Sequence, residues 1–120
     1  MQIGRVEFED IMDDLPKTAI PDCVSIIVPT FNEEESVGLL TEQGAEAMNN
    51  IGCAYELIFI DDGSRDGTAA VLADLAQAHP EIRVVEFRRN FGKAAALDAG
   101  FQLAKGDVVF TMDADLQDDP

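Results

Sequence analysis

Residues 24–34 read VSIIVPTFNEE: a short β-branched apolar run, a proline, then polar residues suited to opening a helix. Val24–Pro29 has the composition of a strand buried on both faces. Asn32, with Glu35 three residues on, has the pattern of a helix cap and its reciprocal partner. Val37, Leu40, Met48 and Ile51 give the following helix a core-facing stripe, and Gly52 suits its end.

The same unit then recurs. Tyr55–Ile60 (YELIFI) reads as a second strand, closed by Asp61-Asp62-Gly63. A helix over about Asp66–Ala78 follows, with Val71, Leu72, Leu75 and Ala76 inward, Ser64 or Asp66 able to cap it and His79-Pro80 to stop it. Ile82–Phe87 (IRVVEF) is a third strand, and Ala94–Ala104 an alanine-rich helix with Leu97, Phe101 and Ala104 at core spacing. Val108–Met112 (VVFTM) is a fourth strand, running into Asp113-Ala114-Asp115. The order β-α-β-α-β-α-β predicts an α/β fold: a Rossmann-like parallel sheet with right-handed crossovers and flanking helices. Ligands of such sheets bind beyond the carboxyl ends of the strands. Glu33, Asp61, Asp62, Asp113 and Asp115 all fall there.

Residues 1–22 break this pattern. They are acidic, carry Pro16 and Pro21 and show no sustained period. They read as an N-terminal extension, with a short helix near Glu7–Leu15 whose Val6, Phe8, Ile11 and Leu15 could pack on the core. Residues 23–120 form the domain. Cys23 and Cys53 lack CxxC spacing and a nearby histidine, which predicts buried or partly buried thiols in a reducing compartment. The chain has no apolar run of membrane-spanning length and no basic-then-apolar leader, so the expectation is a soluble, cytoplasmic chain.

Charge narrows the partners. A formal net charge of -16 over 120 residues repels nucleic acid and anionic lipid, and it repels nucleotide phosphates too. A phosphate ligand therefore needs a divalent cation, helix N-termini or a few placed basic groups. Asp113-x-Asp115 on a turn leaving a strand can share one hard cation through oxygen ligands, and Gln117 adds a neutral oxygen. An acidic pair also suits a solvated turn; its place after an apolar strand in a βα repeat favours the metal. Asp61-Asp62-Gly63-Ser64 can accept hydrogen bonds from base or ribose, although Asp-Gly is equally a plain turn former. Pro29-Thr30-Phe31-Asn32-Glu33 leads from a strand to a helix N-terminus, where backbone N–H groups face a ligand; Phe31 could also be core. Arg88-Arg89-Asn90-Phe91-Gly92-Lys93 is the only basic cluster of the domain and lies on the same rim, where it suits a diphosphate or remains solvated. His79 receives no role.

VSIIVPTFNEE, ELIFIDDGSRDGT, RRNFGKAAALDAG and GDVVFTMDADLQDDP resemble, in order and spacing, the family 2 glycosyltransferases of GT-A fold. The RNFGK and DADLQDDP segments are most similar to the branch that includes dolichyl-phosphate mannose synthase and polyprenyl-phosphate glycosyltransferases. The resemblance covers Cys23 to Pro120, the N-terminal, nucleotide-binding half of the fold. It implies that Pro29, Phe31, Glu33, Asp61 and Asp62 line a nucleotide-sugar pocket, that Gly92 and Lys93 approach the nucleotide and diphosphate, and that Ala114 sits among the donor-binding residues. It implies that Asp113, Asp115 and Gln117 hold Mg2+ or Mn2+ as a Lewis acid on the leaving diphosphate. The implied donor is a UDP- or GDP-linked sugar and the implied acceptor a lipid phosphate, with the parent protein at the cytoplasmic face of the membrane and serving the cell envelope.

Competing motifs fail. The first turn reads PTFNEE, without the GxGxxG of a nicotinamide dehydrogenase. Gly92-Lys93 lacks the rest of a P-loop, position 117 is glutamine rather than the threonine or valine of a DxDx[TV] phosphatase, and the acidic pair follows the second strand, not the first as in a receiver domain. A non-catalytic nucleotide-binding or interaction fragment, and a family 2 transferase with a polysaccharide acceptor, stay open as alternatives. Family members continue beyond the position of Pro120 into the acceptor-facing half, where the catalytic base is expected. The 120-residue chain is thus expected to bind donor weakly with metal, to transfer no sugar, and to leave its last strand open for self-association or its tail, 113–120, disordered. Sugar transfer by the purified chain to a polyprenyl phosphate is the measurement that would contradict this.

Overall fold

The structure, a computed structural model, describes residues 22–114. The elements run β1 (Cys23–Thr30), α1 (Val37–Ile51), β2 (Ala54–Asp61), α2 (Thr68–Ala78), β3 (Ile82–Glu86), α3 (Lys93–Leu103) and β4 (Val108–Thr111). The strands form one sheet in the order β3-β2-β1-β4, and every pairing is parallel. This is the Rossmann-like sheet that the βα repeat predicts. The extension 1–22, its helix near Glu7–Leu15, and the tail beyond Ala114 lie outside the described residues, save Asp22 itself.

Strand alternation splits the core into two layers. Val24, Ile26, Val28, Leu57 and Phe59 pack with Val37, Leu40, Met48 and Leu72 of α1 and α2 on one face. Ile27, Ile58 and Ile60 pack with Ala96 and Leu97 of α3 on the other. Eleven of the largest of these side chains are essentially fully buried, and each such burial contributes about 1.5–3 kcal/mol. Helix α3 lies so close to the sheet that a Cβ on Gly100 would stand 2.4 Å from Ile27 Cγ2.

The helix starts differ from expectation. Asn32 does not cap α1. Its backbone is left-handed (φ 54°), and the helix begins five residues later, after a turn closed by Ser36 N–H and Val37 N–H donating to the Glu33 carbonyl. Glu34–Ser36 make that turn because Asn32 is drawn across to the neighbouring loop. Gly52 does end α1, with φ 77° and its N–H on the Met48 carbonyl. Asp66 accepts the Thr68 N–H at 2.9 Å at the start of α2, and His79 closes that helix. Cys23 is half-buried and Cys53 buried. Burial first, then the charges of Glu56 and Asp107, pushes the Cys23 thiol up, and burial leads the same shift at Cys53. Among the described residues no helix is long and apolar enough to cross a membrane.

One charged side chain sits inside the sheet's α3 side, at the amino ends of the strands. Glu56 is 9% exposed and fully partnered. It accepts from Ser25 Oγ (2.6 Å), Lys105 N–H (2.7 Å) and Arg83 Nη1 (3.0 Å), while Ser25 Oγ accepts from Gly106 N–H. Arg83 also donates to the Leu103 carbonyl. The network ties the α3–β4 loop to β1, β2 and β3. Burial pushes the Glu56 carboxyl upward, but the Ser25, Lys105 and Arg83 hydrogen bonds and the guanidinium charge outweigh it and hold the group below its ordinary 4.5.

A depressed folded-state pKa means that the unfolded chain takes up the proton first as pH falls. Glu56 therefore contributes its full stabilisation above about 4.5 and loses it as the pH drops toward the folded value. Glu56→Ala is expected to cost about 2–3 kcal/mol at neutral pH, because it strands the Ser25, Lys105 and Arg83 donors. Urea unfolding at pH 7 and at successively lower pH should show that deficit shrinking in acid.

Candidate functional site

The polar chemistry gathers where the chain leaves the sheet. Apart from the Ser25–Glu56–Arg83 network, interior strand positions are mostly apolar, and the other strand carboxylates, Asp61 and Glu86, stand at carboxyl ends. Strands β2 and β3 lie on one side of β1 and β4 on the other. The switch point of the sheet is therefore between β1 and β4, where a crevice opens beyond the carboxyl ends. An open cleft of about 150 Å³ is found there, lined by Pro29, Thr30, Phe31, Asp62, Lys93 and Asp113. It is smaller than the roughly 300 Å³ and upward of a whole small-molecule pocket, so these residues enclose only part of a large ligand.

The rim loops are tied to one another in sequence. Asn32 Oδ1 accepts the Arg65 N–H at 2.8 Å, and Asn32 N–H donates to Ser64 Oγ at 2.9 Å. Glu33 N–H donates to Thr68 Oγ1, which joins the loop after β1 to the loop after β2. Asp61, 1% exposed, accepts the Ser64 N–H and holds the turn of its own loop. Asp62 reaches the other way, taking the Phe91 N–H at 2.8 Å and the Gly92 N–H at 3.1 Å, so the loop after β3 is joined as well. Lys93 Nζ closes the series on Asp113 Oδ1 at 2.9 Å, across the cleft to the end of β4. Arg89 lies over the Phe91 ring at 4.4 Å, and Phe87 meets that ring edge-on.

Of the residues the sequence singles out, Pro29, Phe31, Asp62, Lys93 and Asp113 meet in the cleft. Glu33 and Gly92 stand in the surrounding loops, and Asp61 is the last residue of β2. Ala114, 3% exposed, is buried in the core with the first apolar layer rather than lining the cleft. Asp115 and Gln117 lie outside the described residues. Thr30, 2% exposed with its hydroxyl on the Val28 carbonyl, lines the cleft; the sequence places it only within the Pro29–Glu33 segment, because a threonine ending a strand carries no chemical signature of its own. Asn32 reads in the sequence as a helix cap; asparagine's tolerance of left-handed backbone is the signal for its actual role.

The donor chemistry suits a hard divalent cation. Asp113 presents a carboxylate oxygen at the cleft, with its side chain 30% exposed, and Lys93 beside it marks the place as one where charge is balanced locally. Among the described residues no group of three or more acidic, histidine or cysteine side chains could hold a metal.

The family model for Glycosyl transferase family 2 matches residues 25–120. The undecaprenyl-phosphate 4-deoxy-4-formamido-L-arabinose transferase of Pectobacterium atrosepticum is 46% identical over 99 residues, 81% of this chain and 30% of its own length. The dodecaprenyl-phosphate galacturonate synthase of Rhizobium johnstonii is 46% identical over 98 residues, 81% of this chain and 29% of its own. A mannosyltransferase of Pyrobaculum calidifontis, solved in complex with GDP-Man and Mn2+, superposes with a TM-score of 0.62 at 29% identity, covering 85% of this chain and 30% of its own. The chain thus spans about 30% of the length of these relatives.

Asn32→Ala is expected to destabilise the protein by about 1–2 kcal/mol, from lost loop hydrogen bonds and a left-handed backbone without an amide to favour it. Asn32→Asp keeps the acceptor and should recover most of that. Thermal unfolding of the two variants against the parent checks the order.

Proposed function

Because this chain belongs to glycosyl transferase family 2 and has the GT-A fold, we propose that the protein carrying it transfers a sugar from a nucleoside-diphosphate sugar to a polyprenyl phosphate. The observation that carries the reading is the Lys93–Asp113 pair, 2.9 Å apart across a cleft at the switch point of the sheet. In a chain of net charge -16, an acidic rim can take a diphosphate only where positive charge is concentrated. Relatives whose names carry undecaprenyl and dodecaprenyl phosphate support the lipid acceptor, and GDP-Man in a structural relative supports a UDP- or GDP-linked donor.

In this reading Pro29, Phe31, Glu33, Asp61 and Asp62 shape the nucleotide side of the pocket. Lys93 and the loop ending at Gly92 serve the diphosphate, and Ala114 stands among the donor-binding residues at the end of β4. Asp113, Asp115 and Gln117 would hold Mg2+ or Mn2+, which when bound supplies Lewis acidity to the departing diphosphate; Mn2+ in the mannosyltransferase supports the choice of ion. Lys93 releases Asp113 and turns its ammonium to the diphosphate when donor arrives. Residues 23–120 are the donor-binding part of the domain and 1–22 an extension to it. The whole enzyme works at the cytoplasmic face of a membrane in building the cell envelope. The 120-residue chain alone binds donor and does not turn over. The outer edge of β4, paired only with β1 among the described residues, is the surface on which a second copy of that chain would add.

Asp113→Asn and Asp115→Asn in the intact protein should each lower transfer from a UDP- or GDP-sugar to undecaprenyl phosphate at least about a hundredfold. Chelator should abolish donor binding measured by calorimetry. Full turnover by the double variant, or donor affinity indifferent to chelator, would overturn the reading. Sedimentation of the 120-residue chain at rising concentration should show dimers that a lysine placed on β4 removes.

A further inference from the structure

β4 is the shortest strand of the sheet and the one whose register is least constrained by pairing. It forms four pairs with β1, from Val24–Val108 to Ile27–Thr111, where β2 forms eight. Its apolar residues face both ways: Phe110 packs with the α1–α2 layer and Val109 with the α3 layer. A strand apolar on both faces buries about as well after a one-residue slip, so the hydrophobic pattern alone does not choose its register. Such a slip would move Asp113 about 3.3 Å along the sheet and turn its side chain to the opposite face. The 2.9 Å contact with Lys93 would be lost.

The register is chosen at the amino end. Three successive amides are held there: Lys105 N–H donates to Glu56 at 2.7 Å, Gly106 N–H to Ser25 Oγ at 2.8 Å, and Asp107 N–H to the Cys23 carbonyl at 2.8 Å. Asp107 Oδ2 accepts in return from Asp22 N–H at 2.9 Å and Cys23 N–H at 3.4 Å. A Cβ on Gly106 would stand 2.6 Å from Ser25 N and 2.9 Å from the Cys23 carbonyl oxygen, both backbone atoms of β1. A slip would bring Lys105 or Asp107 into that space, and each carries a Cβ. We propose that Gly106 and Asp107 are positioning residues: they lock β4 in register against β1 and so set where Asp113 enters the cleft opposite Lys93. Only this last step rests on the proposed donor site.

One arm of the test needs no ligand. Asp107 is exposed, so Asp107→Ala in the intact protein leaves the core as it is. A strand of four residues opens as one unit. The variant should therefore speed hydrogen exchange about tenfold at the Met112 amide, which donates to the Ile27 carbonyl at the far end of β4, while the Leu40 amide of α1 keeps its rate. In the second arm, calorimetry follows binding of a UDP- or GDP-sugar as Mn2+ is raised. Asp107→Ala and Gly106→Ala should each raise the Mn2+ needed for half-maximal binding about tenfold, and Asp107→Asn, which keeps an acceptor oxygen, should restore most of it. Leu72→Val, a core change in α2, should lower stability and leave the Mn2+ requirement where it was. Unchanged exchange at Met112 overturns the register lock. Faster exchange with an unmoved Mn2+ requirement, or an equal rise in Leu72→Val, overturns the positioning role. A parent protein that binds no UDP- or GDP-sugar refutes the proposed function instead, and the exchange arm alone then decides the register lock.

Discussion

A parallel strand covered on both faces has nowhere to carry polar chemistry except its ends. β1 is such a strand, paired with β2 on one side and β4 on the other, with helices over both faces. Its five residues Val24–Val28 are buried without exception, and the one polar member, Ser25, is bonded to Glu56. Everything else about the molecule follows from that confinement. The amino ends are closed by the Glu56 network, which has no unpartnered group to offer a ligand. The carboxyl ends are left to do the work, and they carry Asp61, Asp62 and Asp113.

Concentrating carboxylates at one rim creates a repulsion, and the structure distributes it among distinct partners. Asp61 is satisfied by its own loop, Asp62 by the loop after β3, and Asp113 by Lys93. Of these only Asp113 has its charge balanced by a half-exposed side chain; the other two are held by backbone amides that cannot leave without opening a loop. That difference separates acids that build the cleft from the acid that can change partner. A cation arriving at Asp113 displaces one ammonium, whereas one arriving at Asp62 would have to unmake the wall of the pocket.

Membership of the family and the fold fit this division, since the matched stretch is about 30% of the length of its relatives. Within its own span the chain supplies a sheet, a switch-point crevice and a balanced pair of charges.

Strand and helix order, the parallel sheet and the address of the site were legible in the sequence, because burial on both faces leaves continuous apolar runs and pushes polar residues to predictable ends. The inward residues of α1 and α2, the glycine stop at Gly52 and the acids at the strand ends followed from spacing alone. Asn32 was misread, because a cap and a left-handed bridging residue draw on the same amino acids; only the position of the loop after β2 decides between them. Which acid serves the fold and which faces the cleft was likewise undetermined by the chain order. Asp62 and Gly92 are thirty residues apart, and nothing local records that their loops touch. Tertiary packing decided it, by bringing Gly63 under Asn90 at a distance that admits no side chain.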